Sequence, residues 1–129
     1  MNANQALNAY NNVGTQSAVE GASPHQLITL LLEGALDRIA SAKGAMERSD
    51  TARQGALLGK AITIIDNMRA SLDHERGGEI AERLAALYDY MERRLVEAGR
   101  GADTAALDEV SGLLRQVKSG WDDIPQQYR

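Results

Sequence analysis

The sequence contains no cysteine and no phenylalanine, and only 4% of its residues are aromatic. Without cysteine the chain can form neither disulfides nor thiolate metal sites, and it has no cysteine nucleophile. Because no feature favours an oxidising compartment, we expect a cytoplasmic protein. Without phenylalanine, the core has to be built from leucine, isoleucine, valine, methionine and alanine, a set that suits closely packed helices.

Proline is also scarce, since Pro24 and Pro125 are the only two in 129 residues. The long stretch between them therefore has no proline to interrupt a helix. This absence favours an all-α fold. A chain of this length fits one compact domain with a modest core.

Positive charge and long apolar runs are lacking too. The 14 lysines and arginines are outnumbered by 18 acidic residues, which leaves a formal net charge of −4 and argues against nucleic-acid binding. No apolar run reaches the roughly 18 residues of a membrane span. Residues 1–22 contain no lysine or arginine for a signal peptide. We expect no membrane insertion and a retained N-terminus.

The first 22 residues are rich in asparagine, glutamine, serine, threonine and glycine, and their apolar residues are sparse. This composition predicts a short flexible or partly helical N-terminal arm. Leu7, Tyr10 and Val13 are the residues by which the arm would dock. Residues 23–122 are then the helical domain, and residues 123–129 form a C-terminal tail.

The start of the first helix is marked by Ser23-Pro24-His25-Gln26. Serine suits the N-cap, proline the first helical position, and glutamine at the third position completes a capping box. This helix is expected to run to about Glu47. Small residues inside it, Gly34 and Ala35, would let a neighbouring helix come close.

The second helix, with Ser49 or Asp50 as its cap, carries apolar residues on more than one side. Leu58, Ile62, Ile65 and Leu72 form one stripe, and Leu57, Ala61, Ile64 and Met68 form another. Together they are wider than the band that faces a single core. Either this helix lies centrally among the others, or part of the band faces a partner.

The third helix is expected to begin near Gly78, after a glycine turn, and to end at about Ala98. The fourth, capped by Asp103 or Thr104, should end before Pro125, which marks the end of regular structure. Four helices joined by short turns predict an antiparallel four-helix bundle with crossing angles of roughly 20°.

Residues with catalytic or metal-binding chemistry are few. The two histidines, His25 and His74, lack the Glu-x-x-His spacing of di-iron bundles, because Ala22 and Ser71 occupy the glutamate positions. No phosphate-binding glycine loop and no Gly-x-Ser-x-Gly motif occur. We therefore predict no enzyme, no cofactor and no metal. An enzyme would require convergent polar residues inside the core.

Several side chains have two readings. Asp73-His74-Glu75 is better explained as a solvated turn than as a set of metal ligands. The carboxylates of Glu33 and Asp89 are better explained as part of a solvated helix surface than as catalytic acid or base groups. Tyr88 is in phase with the apolar face of its helix, whereas Tyr90 lies off it. Trp121 is in phase with the buried face of the fourth helix, which favours core packing over an interface anchor.

Several short motifs occur in a specific order and spacing, and together they resemble one known family. They are Tyr10, Ser23 to Leu27, Gly34-Ala35-Leu36, the hairpin from Leu72 to Leu95, Leu107-Asp108-Glu109-Val110, and Trp121. Because these motifs occur in this order, the chain resembles the flagellin-specific secretion chaperones of the FliS family over nearly its whole length. It departs from the family pattern at Leu32, where tyrosine is common, at Glu33 and at Gly99.

The resemblance implies a cytosolic bundle that binds the C-terminal disordered segment of newly made flagellin. Such a chaperone prevents premature polymerisation and delivers flagellin to the flagellar type III export gate. A co-chaperone or regulator is a further possible partner. The resemblance also implies that the N-terminal arm covers part of the client site, which gives Leu7, Tyr10 and Val13 the role of a displaceable plug.

The candidate client groove combines the extra apolar band of the second helix with the third helix. Its residues are Ile62, Ile65, Met68, Leu84, Leu87, Tyr88 and Met91. The alternative function is a non-enzymatic adaptor that docks a folded regulator through a charged surface. That surface would comprise Glu75, Arg76, Glu79, Arg83, Arg93 and Arg94.

Overall fold

The computed structural model describes residues 21–129, and this part of the chain is helical without any β-strand. Its four α-helices are α1 (Pro24–Glu47), α2 (Thr51–Ala70), α3 (His74–Gly101) and α4 (Thr104–Asp122). The prediction of an all-α fold is confirmed. Leu7, Tyr10 and Val13, and with them almost all of the predicted arm, lie outside the described residues.

Each helix begins at a side-chain cap. At α1 the Ser23 hydroxyl accepts a hydrogen bond from the Gln26 amide at 3.1 Å, and the Gln26 side chain accepts one from the Ser23 amide at 2.8 Å. This is the predicted capping box. Carboxylates of Asp50, Asp73 and Asp103 cap the other three helices. These caps satisfy amides that have no partner within the first helical turn.

The start of α3 agrees with the prediction in one respect and differs in another. The backbone leaves the helical conformation at Gly78, with φ 48° and ψ −124°, a conformation that side-chain-bearing residues avoid, so the predicted glycine break is present. One helical turn precedes this break, because Asp73 caps a helix start at His74 by accepting from the Arg76 amide at 3.1 Å. The glycine pair is therefore a kink between this first turn and the rest of α3.

The end of α3 was also predicted too early. The helix continues past Ala98 to Gly101, and Ala102 is the cap residue with left-handed φ of 49°. Gly99 has a different role, because Leu58 of α2 packs where its side chain would be and Gln54 donates to its carbonyl at 3.1 Å. The glycine permits close approach of α2 and does not end the helix.

The four helices form the predicted antiparallel bundle. Turns of two or three residues connect them, and α1 and α3 each pack against both α2 and α4. The fully buried side chains between them are mainly aliphatic: Leu31, Leu32, Ile39, Ile64, Ile65, Met68, Met91, Leu95, Leu107, Val110 and Leu114. None of the described helices is long and apolar enough to cross a membrane.

After α4 the chain forms a short 3-10 turn at Gln126–Tyr128, so regular structure extends past Pro125, contrary to the prediction. The Arg129 guanidinium holds this segment against the helix end. It donates to the carbonyls of Ile124 and Asp122, both at 3.0 Å. The C-terminal residues therefore fold back onto the bundle.

Candidate functional site

An apolar groove of about 460 Å³ opens at one end of the bundle, where α1 and α3 begin and α2 and α4 end. It is lined by Ile28, Leu32, Met68, Leu72, Ile80, Leu84, Tyr88, Gln116, Val117, Gly120, Trp121 and Ile124. Apart from Gln116 these are aliphatic or aromatic residues or glycine. Because it is apolar, the groove is suited to bind hydrophobic side chains and has no arrangement for polar chemistry.

Helices α3 and α4 are joined by polar contacts only away from this groove. Near the other end of the bundle, Glu109 of α4 accepts from the Tyr90 hydroxyl at 2.6 Å and from Arg94 Nε at 2.8 Å. These two donors lower the pKa of Glu109, the tyrosine hydrogen bond having the larger effect. Among residues 21–129 no hydrogen bond or ion pair joins α3 to α4 beside the groove.

Ile80 forms the lip of the groove on α3 and is 70% exposed. It lies two residues after the kink at Gly78, which determines the direction of the helix axis at this point. A large aliphatic side chain that is so exposed at the edge of an apolar groove indicates a contact surface. Leu84, one turn further along, is partly buried and continues the same wall.

Trp121 forms the opposite wall on α4 and is held by α1. Its indole N–H donates to the His25 carbonyl at 3.0 Å, and the His25 Nε2 lies 2.8 Å from the Trp121 carbonyl. The two rings are stacked, with centroids 4.7 Å apart and planes 4° apart. Trp121 was predicted as a core residue, and it is a partly buried one that also lines the groove.

The groove continues into a second, more polar cleft of about 900 Å³. The two share Leu72, Ile80, Leu84, Trp121 and Ile124. The additional lining includes Asp73, His74, Arg76 and Tyr128. Together they form an apolar floor with a polar mouth.

Tyr88 lies at the base of the groove and is 5% exposed. Burial raises the pKa of its hydroxyl to about 12, so the group is neutral at physiological pH. The base of the groove therefore carries no charge. This matches a ligand whose contacting side chains are apolar.

The predicted groove residues do not form one surface. Met68, Leu84 and Tyr88 do line the observed groove. Ile65 and Met91 are 0% exposed and belong to the core, and Leu87 is partly buried against the core outside the groove lining. Ile62 faces a separate shallow surface with Val96 and several charged residues. The observed apolar groove is lined by residues of all four helices, and α3 and α4 form its two walls.

Sequence reasoning missed most of the remaining lining, above all Ile80, Val117, Trp121 and Ile124. Trp121 was recognised only as part of the buried face of the fourth helix. The sequence has no signal for the fact that the apolar faces of α3 and α4 stay apart at the groove end of the bundle. Ile124 was placed in the tail, and only the folded-back segment brings it to the groove.

The charged residues proposed for an adaptor surface pair mostly with neighbours on their own helix. Arg83 donates to Glu79 at 2.5 Å and Arg93 to Asp89 at 3.1 Å, each one turn away. Arg94 binds Glu97 and also Glu109 of α4. In the described part of the chain no group of three or more acidic or histidine residues could hold a metal ion.

Comparison with known proteins agrees with the resemblance noted from the sequence. A family model described as "Flagellar protein FliS" matches residues 6–128. The flagellar secretion chaperone FliSB of Pseudomonas aeruginosa is 53% identical over 124 residues, which cover 96% of this chain and 98% of that protein. The flagellar secretion chaperone FliS of Salmonella typhimurium is 47% identical over 119 residues, 92% of this chain and 88% of that protein. That of Vibrio cholerae is 39% identical over 123 residues, 95% and 90% of the two chains. This chain therefore belongs to the FliS family of flagellar secretion chaperones.

Proposed function

We propose that this protein is a non-enzymatic export chaperone that binds the C-terminal segment of newly made flagellin in the cytoplasm. It would prevent premature polymerisation and deliver the subunit to a component of the flagellar type III export gate. The proposal is supported by membership of the FliS family and by one observation, the open apolar groove between α3 and α4.

The groove suits an amphipathic segment that becomes helical on binding. Such a helix lays its apolar side into a groove, and residues spaced three and four apart act as anchors. The floor would receive these anchors, and the polar mouth around His74 and Arg76 would face the solvated side of the segment. Covering the apolar face of a flagellin segment in this way removes the surface through which subunits self-associate.

Binding coupled to folding also accounts for release at the export gate. A disordered segment that orders on binding loses conformational entropy, which reduces the net affinity for a given contact area. The client is thereby covered over a large surface while its dissociation remains fast enough for transfer. We assign Met68, Leu84 and Tyr88 to this contact from the original prediction and add Ile80 and Trp121.

The test is isothermal titration with a peptide of the C-terminal ~40 residues of the host flagellin, long enough as a helix to span the bundle. We expect stoichiometric binding with a large negative heat-capacity change and a gain of helix by circular dichroism. If the folded protein shows no binding at high micromolar concentration, the proposal is wrong for that client.

A matched pair of variants locates the contact. Ile80→Asp places a charge at the lip of the groove, whereas Val96→Asp makes the same change at another exposed position of α3, 42% exposed and outside the groove. We expect Ile80→Asp to abolish measurable binding and Val96→Asp to bind like the unmodified protein. Equal loss in both variants would contradict the assignment of the groove.

The adaptor function has weaker support, because the arginines that would recognise a regulator already pair with carboxylates of this chain. A folded regulator or co-chaperone remains a prediction as an additional partner. Competition would distinguish the sites: a regulator that binds the charged residues of α3 away from the groove, around Arg93 and Arg94, would leave the affinity for the flagellin peptide unchanged.

A further inference from the structure

We infer that His25 is a positioning residue for client binding, because it fixes Trp121 of α4 as a rigid wall of the apolar groove. The part of this inference that concerns the client rests on the proposed function. The part that concerns the indole ring does not, and it can be tested in the free protein.

The contact between the two residues is reciprocal. The Trp121 carbonyl can only accept, so the His25 Nε2 must carry a hydrogen and donate to it across 2.8 Å. In the other direction the indole N–H donates to the His25 carbonyl at 3.0 Å. Ring stacking at a centroid distance of 4.7 Å completes the contact. Position, tilt and rotation of the indole are thereby all restrained.

This arrangement also connects two helix ends. His25 is the second residue of α1 and 7% exposed, and Trp121 lies in the last turn of α4. The Trp121 carbonyl also accepts from the Ile124 amide at 3.3 Å, and the His25 imidazole adds a shorter hydrogen bond to it from another helix. The start of α1 is itself fixed by the capping box at Ser23. The position of the indole is therefore fixed relative to the rigid start of α1, and not relative to the chain end that follows Trp121.

The consequence for the groove follows from where the indole lies. Trp121 lines both the apolar floor and the polar mouth, next to Val117 and Ile124. An indole released from His25 has room to rotate into this open space, where it would occupy volume meant for a client side chain. A client would then have to reorder it on binding, which lowers affinity. His25 thus pre-organises the groove without lining its apolar floor.

Two substitutions separate the parts of the contact. His25→Gln keeps an N–H donor at a comparable reach but removes the ring, and His25→Phe keeps a stacking ring but removes the donor. His25→Ala removes both. If the hydrogen bond and the stack act together, glutamine and phenylalanine each restore part of what alanine loses. Ile39→Val is the matched control, since Ile39 is a buried α1 residue remote from the groove.

The first measurement uses the fact that the chain has a single tryptophan. Its indole N–H gives one resolved signal in a nitrogen-15 correlation spectrum, and its deuterium exchange is compared with that of core backbone amides. We expect His25→Ala to speed indole exchange by about tenfold or more relative to the core amides. General destabilisation would speed both alike. Unchanged relative exchange would overturn the inference.

The second measurement is affinity for the flagellin peptide. We expect His25→Ala to weaken it roughly fivefold, the effect of one net hydrogen bond, with partial recovery in His25→Gln and no change in Ile39→Val. If the indole is freed but the affinity does not change, the positioning role is wrong. If the unmodified protein does not bind the peptide, the proposed function fails for that client. In that case the inference is tested by indole exchange and by the affinity for the apolar dye anilinonaphthalene sulfonate. Both are compared between the His25 variants, Ile39→Val and the unmodified protein.

Discussion

At the scale of single residues, Glu92 illustrates how burial competes with pairing. Its carboxylate lies 3.3 Å from Arg69 Nε at the seam of α2 and α3, but the same guanidinium also faces Asp66 and Asp89. Burial raises the pKa of Glu92 to about 7, and the charge of Asp66 adds to this, while Arg69 opposes it. With one positive charge among three carboxylates, the most buried of them keeps its proton to a higher pH than an ordinary glutamate.

The stability of the fold should therefore depend on pH through Glu92. In the folded state the group keeps its proton up to about pH 7, whereas in the unfolded chain it loses it near its ordinary value of 4.5. Between these values the folded state binds more protons, so the contribution of Glu92 to stability falls as pH rises. Urea unfolding between about pH 5 and pH 7.5 should show this fall in the unmodified protein, and a reduced one in Glu92→Gln.

The two proteins differ only at residue 92, so the comparison isolates the contribution of Glu92. Parallel stability curves for the two proteins across this pH range would contradict the assignment to Glu92.

Core and groove residues should also respond differently to truncation. Met91 is 0% exposed, so Met91→Ala is expected to lower the free energy of unfolding by about 2–5 kcal/mol. Ile80 is 70% exposed, and Ile80→Ala should change stability by less than about 0.5 kcal/mol while it weakens binding of the flagellin peptide. Urea unfolding and titration calorimetry measure the two effects. A stability loss in Ile80→Ala as large as that in Met91→Ala would be inconsistent with the exposed lip.

At the scale of secondary-structure elements, α3 shows how two glycines in one helix have different functions. Gly99 lies under Leu58 of α2 and permits close packing, whereas Gly78 has a positive φ and produces the kink before the groove wall. Local sequence indicates a break at the glycine pair, and the break is real. Asp73 caps one further helical turn ahead of the break, so the chain is helical on both sides of Gly78.

The same substitution at two glycines should therefore have opposite effects. Gly78→Ala forces a side chain into φ 48° and ψ −124°, and we expect a loss of about 1–3 kcal/mol in the free energy of unfolding. Gly59→Ala lies within α2, where an added methyl group meets no atom within 4 Å. It should stabilise the fold by roughly 0.5–1 kcal/mol through helix propensity. Thermal or urea unfolding measures both, and stabilisation by Gly78→Ala would show that the kink is not required.

At the scale of the whole molecule, polar contacts join the helices of residues 21–129 at one end, here called the closed end, and the apolar groove lies at the other, the open end. Near the closed end, Glu109 links α4 to Tyr90 and Arg94 of α3, and Lys43 of α1 pairs with Asp108 of α4 at 2.9 Å. At the open end the link to α4 is made by His25, and α3 and α4 leave the apolar groove between them. A four-helix bundle thus provides both a stable core and an apolar groove at one end.

The predicted N-terminal plug gives an expectation for the intact molecule. If Leu7, Tyr10 and Val13 cover part of the client site, deletion of residues 1–15 should raise the association rate or the affinity for the flagellin peptide. Stopped-flow kinetics and titration calorimetry would detect this. A protein without residues 1–15 that is equally stable and binds with unchanged rate and affinity would remove the plug hypothesis.

The sequence by itself determined the helices, and it did so through short-range interactions. The capping box at Ser23, the aspartates at Asp50 and Asp103, and apolar residues three and four apart act within one or two turns. They were readable without knowledge of the neighbours. The ordered motifs from Ser23 to Trp121 likewise indicated the family that the comparisons confirmed.

Only the tertiary structure decided which apolar residues are core and which are groove. Periodicity shows that Ile65, Met91 and Leu84 lie on the apolar faces of their helices. It does not show whether a neighbouring helix covers each of these residues. Ile65 and Met91 are covered, and Leu84 lines the groove beside Ile80. The separation of α3 from α4 and the pairing of residues 96 positions apart, His25 and Trp121, arise from packing between distant segments. Such contacts leave no periodic signal in either segment alone, which is why the groove could be located only in the folded bundle.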